Sequence, residues 1–341
     1  MKILVTGGAG FIGSNFISQL LNTDYSILNI DKDEDHFFLN QQLTHCSHQN
    51  YIFERMNILD ANKISKIINK FSPDCIVHFA AESHVDNSII KPDLFIETNI
   101  KGTFNLLQGC KDLISKPNFL FLHVSTDEVF GDLLPNEMPF TESDQYKPNS
   151  PYSASKAASD HMVRAFSKTY GLRSVITNCS NNFGPNQHPE KLIPHAIMRL
   201  LNGLKIPVYG SGLQIRDWLH VSDHCSAIFK IISNFTGDHS TYNIGSNNEL
   251  TNIDLLSKLI YMHFDNPSDI SLYLQHVTDR KGHDQRYSIN SSKLENDFSW
   301  TSKQDFDQAL KETYEWYVSN QWIFENNQSV LSRIITEKIA S

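Results

Sequence analysis

The sequence predicts an α/β fold, a doubly wound parallel sheet of the Rossmann type with a smaller C-terminal domain. Three observations lead there. Short apolar runs alternate with helical patterns from residue 1 to about residue 180, the order left by a parallel sheet with crossover helices. A glycine-rich turn joins the first strand to the first helix. Beyond residue 180 the pattern loosens and the chain ends in an aromatic helical stretch, as a second unit with its own core would. Residues 1–187 with about 217–247 are assigned to the first domain, and 188–216 with 248–341 to the second.

The 341 residues suffice for one large or two domains. A 40% hydrophobic, 20% charged composition is that of a globular protein. A net charge of -9 without a dense Lys/Arg run argues against a nucleic-acid surface. No apolar run is long enough to span a bilayer and no signal-peptide pattern opens the chain, so a cytoplasmic protein is expected. Cys46, Cys75, Cys110, Cys179 and Cys225 are scattered, which suits reduced thiols. The 15 histidines lack ligand spacing, so no metal site is expected.

Taken in order, Lys2–Thr6 is a buried strand, and Gly8, Gly10 and Gly13 then satisfy G-x-G-x-x-G, with Gly7 giving a second glycine register. Glycines are needed there because the backbone turns tightly and must approach a pyrophosphate held on the helix N-terminus. This predicts a dinucleotide. Ser26–Ile30 is the second strand, and Asp31 at its end lies 18 residues beyond Gly13, where a carboxylate can accept from ribose hydroxyls and would repel a 2′-phosphate. The expected cofactor is therefore NAD. Asp33 to Asn50 reads as a polar connection. Tyr51–Glu54 is a strand, Asp60 to Lys70 a helix capped by Asp60, and Asp74–Phe79 a strand followed by the small residues Ala80 and Ala81; Pro92 opens the next helix.

The chemistry is expected between Ser125 and Lys156. Phe119–Val124 is a buried strand, so Thr126, Asp127 and Glu128 emerge at its carboxyl end, where open α/β sheets bind ligands. Tyr152 and Lys156 are four residues apart on a helix that Pro151 starts, so they share one face. An ammonium beside the phenol is expected to lower its pKa toward that of a usable base.

Arg173–Thr177 is a further strand, and Asn178 to Pro185 reads as a polar loop. A helix from Glu190 to Gly203, a short Ile206–Tyr209 segment, a helix from Ser222 to Ser233, a strand Thr241–Ile244 returning to the sheet and an aromatic helix from Gln304 to Trp322 complete the reading. Lys191, Arg216 and Arg280 stand in acidic surroundings as candidate pyrophosphate ligands.

Thr6 to Gly13, His78 to Asp86, Thr126-Asp127-Glu128-Val129, Pro151 to Lys156 and Asp279 to Asp284 together resemble the NDP-glucose 4,6-dehydratases, which are extended short-chain dehydrogenase/reductases. The similarity spans nearly the whole chain, and Thr-Asp-Glu is its discriminating piece. The resemblance implies oxidation of the hexose at C4, loss of water across C5 and C6, and return of hydride to C6. Tyr152 would take the C4 hydroxyl proton with Lys156 in support, Glu128 would act as base at C5 and Asp127 as acid at C6. Cofactor contacts would come from Gly7, Gly10, Phe11, Ile12, Gly13, Asp31, Lys32, Asn57 and Ile58, and from Phe79, Ala80, Ala81, Ser83, Thr98, Tyr152, Lys156 and Asn182. Ser83 and Thr126 would face the sugar. Asn181, Lys191, Leu192, Arg216, Asn252, Arg280 and His283 would surround the nucleotide diphosphate, with Pro207 and Tyr209 near the base. A homodimer formed through helices including the one bearing Tyr152 is implied as well. Phe130 replaces the family's usual Tyr, Asn87 its Arg, and Asn57 and Asn290 its Asp. Two other functions share parts of this pattern. A nucleotide-sugar 4-epimerase or decarboxylase needs Tyr152 and Lys156 but no adjacent acid and base, and an inactive NAD-binding regulator needs neither.

Overall fold

In the computed structural model residues 1–32, 50–265 and 267–325 are described. The polar connection expected from Asp33 to Asn50 lies, apart from Asn50, outside them, as does Cys46.

The first part of the chain runs β1 (Lys2–Thr6), α1 (Phe11–Leu20), β2 (Ser26–Asp31), β3 (Tyr51–Arg55), α2 (Ala61–Phe71), β4 (Cys75–His78) and α3 (Val85–Ile90). A helix follows in three pieces, α4 (Pro92–Phe95), a π-helical stretch (Ile96–Gly102) and α5 (Thr103–Gly109), and then β5 (Leu120–Thr126), α6 (Pro151–Tyr170), β6 (Ser174–Cys179) and β7 (Asn181–Phe183). The later elements are α7 (Leu192–Leu201), β8 (Ile206–Tyr209), β9 (Ile215–His220), α8 (Val221–Asn234), β10 (His239–Ile244), β11 (Glu249–Thr251), α9 (Asn252–His263), β12 (Leu274–Val277), α10 (Ser292–Phe298), α11 (Phe306–Ser319) and α12 (Trp322–Glu325).

Seven strands form one parallel sheet in the order β10-β6-β5-β4-β1-β2-β3. Strand direction of growth reverses between β1 and β4, the position where such sheets open a ligand crevice. Helices cover both faces, which is why β4, β5 and β6 are buried at every residue and read as runs rather than alternations. Ile3 and Val5 point to one face with Phe16 and Ile17 of α1 and Ile228 of α8, while Leu4 between them joins Ile64 and Ile68 of α2 and Val163 of α6 on the other. A separate core brings together Ile197 of α7, Val208 of β8, Leu259 of α9 and Tyr317 of α11.

Local chemistry accounts for the termini near the site. Ser150 accepts from Ser153 N at 3.0 Å and Pro151 opens α6; Asp60 accepts from Lys63 N at 3.1 Å ahead of α2. The stretch expected as a polar loop from Asn178 to Pro185 instead completes β6 and forms β7, which pairs with β9. Two of its polar side chains are buried with partners, Asn178 Nδ2 on Thr126 O at 3.2 Å and Asn182 Oδ1 on His224 Nδ1 at 2.9 Å, so they tolerate strand positions. The helix expected from Glu190 begins only at Leu192, which leaves Lys191 in extended backbone. The aromatic helix breaks after Ser319 and resumes at Trp322.

Candidate active site

The turn after β1 is built for close approach. Gly7 has φ +75°, and a Cβ on it would stand 2.5 Å from Ala80 N; a Cβ on Gly13 would stand 2.3 Å from Gly7 O. The turn therefore packs against Phe79 and Ala80 beyond β4 with no room for side chains, and Phe11 and Ile12 continue it into α1. Asp31 Oδ2 accepts from Ala9 N at 2.9 Å, which holds the carboxylate at the mouth of the turn. Tight turn, helix N-terminus and strand-end acid fit a dinucleotide. Around them Lys32 pairs with Glu82 at 2.7 Å, Ile58 is buried, and Asn57 Oδ1 accepts from Leu59 N at 2.9 Å. Thr98 lies in the π-helical stretch.

At the carboxyl end of β5 the chain turns through Asp127–Phe130, with Thr126 Oγ1 accepting from Glu128 N at 3.3 Å. Asp127 is buried and its Oδ2 has no hydrogen-bond partner. Burial first, then Glu128 and Asp217, hold its carboxyl well above the ordinary range. Glu128 is also raised by burial, but the cations of Lys191, Arg216 and Arg280 oppose that rise. Both acids are raised, Asp127 the more strongly, so the neighbouring carboxyls are unequal.

Tyr152 and Lys156 share the inner face of α6, and the phenol hydrogen-bonds Thr126. The expectation of a lowered phenol pKa is overturned here: burial, then Glu128, push Tyr152 well above its usual value. Lys156 Nζ donates to Val124 O at 2.8 Å and lies 3.5 Å from His123 Nε2, so its charge faces β5. Asp160 counters part of the burial that lowers Lys156.

The remaining predicted groups converge only in part. Lys191 Nζ donates to Ser83 O at 2.8 Å, joining the loop before α7 to the segment after β4. Arg280 Nε pairs with Asp86 Oδ1 at 2.6 Å and its guanidinium lies 5.3 Å from the Tyr209 ring. His283 bonds Asp279 at 2.7 Å and meets the Tyr209 ring edge-on. Arg216 stacks 4.1 Å from the Tyr287 ring and donates to Ile215 O and Asp284 O at 2.7 and 2.9 Å. Asn181 Oδ1 is buried without a partner. Pro207 lies near Tyr209 on β8, Leu192 packs into the second core, and Asn252 N donates to Gln214 O at 3.0 Å, which places these three away from the acid pair. Phe130 stacks on Phe140 at 5.2 Å, and Asn290 Oδ1 accepts from Ser292 N at 2.8 Å, so these two departures serve packing and local turns. Asp217, Asp160, His123 and Asp86 escaped the sequence reading. Asp160 had a signal, since it lies one helical turn beyond Lys156; His123 had none, being one polar residue in an apolar strand. Among the described residues no group of three or more His, Cys, Asp or Glu is placed to hold a metal.

A family model described as GDP-mannose 4,6 dehydratase matches residues 4–313. The dTDP-glucose 4,6-dehydratase of Shigella flexneri is 44% identical over 347 residues, covering 96% of each chain. The dTDP-glucose 4,6-dehydratase 1 of Escherichia coli strain K12 is 44% identical over 343 residues, covering 95% of this chain and 94% of that one. Among solved structures, DesIV of Streptomyces venezuelae, a dTDP-glucose 4,6-dehydratase with NAD and dTDP bound, superposes with a TM-score of 0.86 at 39% identity over 94% of this chain and 98% of that one. A UDP-glucose 4-epimerase of Thermotoga maritima gives 0.82 at 26% identity over 94% and 100%. The dehydratase resemblance in the sequence is thus borne out, and the chain belongs to the GDP-mannose 4,6-dehydratase family within the short-chain dehydrogenase/reductases.

Proposed function

We infer that the chain is an NAD-dependent hydro-lyase that converts dTDP-glucose to dTDP-4-keto-6-deoxyglucose. One observation carries this beyond the fold: at the end of β5 buried Asp127 and half-buried Glu128 stand side by side near Tyr152, Asp127 held the more strongly toward its neutral form while the cations of Lys191, Arg216 and Arg280 bear on Glu128. An epimerase has use for the tyrosine but not for such a pair, and a silent NAD-binding regulator has use for neither. The dTDP-specific relatives favour thymidine over uridine or cytidine diphosphate sugars.

The glycine turn and Asp31 would hold NAD, which would supply the hydride acceptor for C4 and the hydride source for C6. Tyr152 removes the C4 hydroxyl proton, and the Lys156 ammonium supports the phenolate. The C4 ketone acidifies the C5 proton, which Glu128 takes, while neutral Asp127 protonates the departing C6 hydroxyl so that water leaves; Glu128 then returns its proton to C5 as hydride reaches C6. Lys191, Arg216, Arg280 and Asn181 are proposed on the diphosphate side, Tyr209 and Pro207 at the base, and Ser83 and Thr126 at the sugar. The domain division at about residues 187, 217 and 247, the homodimer and a cytoplasmic location belong to this proposal. The separate second core supports the division, and Cys75, Cys110, Cys179 and Cys225, buried and outside any disulfide, suit a reducing compartment; among the described residues no helix is long and apolar enough to cross a membrane.

Incubation with dTDP-glucose deuterated at C4 tests the reading. The label is expected at C6 of the product with no net NADH; label in free NADH, or none at C6, overturns it.

A further inference from the structure

Under the catalytic helix lies a buried polar cluster that the chemistry above does not use. Lys156 and Asp160 sit one turn apart on α6, both buried, and both face His123 on β5. His123 Nε2 stands 3.5 Å from Lys156 Nζ, 3.3 Å from Asp160 Oδ1 and 3.2 Å from Ser159 Oγ. Ser159 donates its own proton to Lys156 O at 2.8 Å, so it must accept from His123. The ring is therefore assigned the Nε2–H tautomer with its hydrogen on Ser159, so it offers Lys156 no lone pair, and Asp160 Oδ1 stays buried without a hydrogen bond. Burial keeps this histidine neutral, and His78, whose ring lies 5.1 Å away, is neutral for the same reason.

Asp160 is anchored from the other side. Ser125 Oγ donates to its Oδ2 at 2.8 Å, and the Tyr146 hydroxyl, which hydrogen-bonds Asn178, lies nearby. Ser125 immediately precedes Thr126 and Asp127, so the same strand end carries the acid pair and holds Asp160. The groups facing Lys156 are Asp160 on its own helix, His123 and the Val124 carbonyl on β5, and the Cys179 thiol on β6. Those facing Asp160 are Lys156, His123, Ser125, Tyr146 and the neighbouring His161. With the thiol protonated and the histidine neutral, Asp160 is the one carboxylate among them. A buried ammonium without a counter-charge loses its proton instead of remaining charged.

We propose that Asp160 is a positioning residue whose carboxylate, tied to β5 through Ser125, is the counter-charge that keeps Lys156 an ammonium and so keeps Tyr152 usable as a base. This rests on the assignment of Tyr152 and Lys156 made above. The sign of the effect separates two routes. Acting on Tyr152 directly, a nearby negative charge would raise the phenol pKa, and its removal would lower it. Acting through Lys156, its removal discharges the lysine and raises the phenol pKa.

The test is the pH profile of C4 oxidation, read as transient NADH absorbance with dTDP-glucose, for the wild type, Asp160→Asn and Ser125→Ala. Asparagine keeps the size and the hydrogen bond from Ser125 but removes the charge. Its kcat at neutral pH is expected to fall at least about tenfold, with the acid limb shifted up by about one unit, KM little changed and activity partly regained at higher pH. Ser125→Ala, which keeps the charge but frees it, is expected to shift the limb the same way by less. An unshifted limb, or one shifted down, in a folded Asp160→Asn protein overturns the proposal; should that variant not fold, an unshifted limb in Ser125→Ala does so. A wild type that oxidises C4 throughout keeps the broader assignment separate from this outcome.

Discussion

Asp127 and Glu128 are neighbours in sequence whose carboxyls have opposite surroundings: Asp127 Oδ2 is buried with no partner, while Glu128 lies under the influence of Lys191, Arg216 and Arg280. The difference comes from the short turn after β5, which sends one acid toward the interior and Asp217 and the other toward the cationic side chains. Elimination needs this inequality, because a base at C5 must be ionised while an acid at C6 is not. Glu128→Gln is therefore expected to oxidise C4 still, but to slow exchange of the C5 proton with deuterated solvent by about 100-fold or more. Exchange at the wild-type rate removes Glu128 from the base role.

Asp31 reaches Ala9 N at 2.9 Å and so fixes a negative charge beside the glycine turn. An adenosine 2′-phosphate approaching that position meets like charge. Replacing Asp31 with Ser is expected to narrow the preference for NAD over NADP by about tenfold or more. Dissociation constants for the two cofactors, measured on both proteins, give the ratio. A ratio that does not move assigns selection to other residues.

How much of this is legible in the sequence depends on how local each feature is. The parallel sheet is legible because strands such as Leu120–Thr126 are covered on both faces and leave unbroken apolar runs. The glycine turn and the acid pair are contiguous in sequence, so their spacing alone carries them. β7 is not legible, since Asn181 and Asn182 look like loop residues until His224 is brought beside Asn182 by α8. The pairing of β12 with β8 is hidden for a similar reason: Gln275 and His276 are exposed and the strand has little apolar signal. The phenol pKa is not legible either: the four-residue spacing puts Lys156 and Tyr152 on one face, but only the tertiary structure buries the phenol and gives the ammonium Val124 O as a partner.

The turn after β1 makes a stability prediction. Gly7 combines φ +75° with backbone neighbours that cannot yield: a Cβ there would stand 2.5 Å from Ala80 N and 2.7 Å from Ala80 Cα. Gly7→Ala adds a left-handed backbone cost to a clash between the ends of β1 and β4. A loss of about 2–4 kcal/mol is expected, read from the urea midpoint, together with weakened NAD binding. A midpoint within error of wild type shows that the turn can open without cost.

Asp160 ties stability to pH in a direction that its role explains. Burial raises its pKa from 3.8 to about 6, partly offset by Lys156 and Ser125. The folded state thus holds the proton more tightly than the unfolded chain does. The stability this contributes is complete below pH 3.8, is lost as pH rises toward about 6, and changes no further above that. A shift of that size corresponds to a few kcal/mol, since one pH unit is about 1.4 kcal/mol. Asp160→Asn removes this titration, so the stability of the variant relative to wild type is expected to improve between about pH 4 and 6. Urea midpoints across that range measure the difference and cancel the titration of Asp127, Glu128 and Asp217, which both proteins share. At neutral pH the variant is then expected to be at least as stable as wild type and much less active, because what asparagine cannot supply is the charge facing Lys156. A relative stability that does not vary across the range would mean that Asp160 keeps an ordinary carboxylate pKa, with no price in stability attached to its charge.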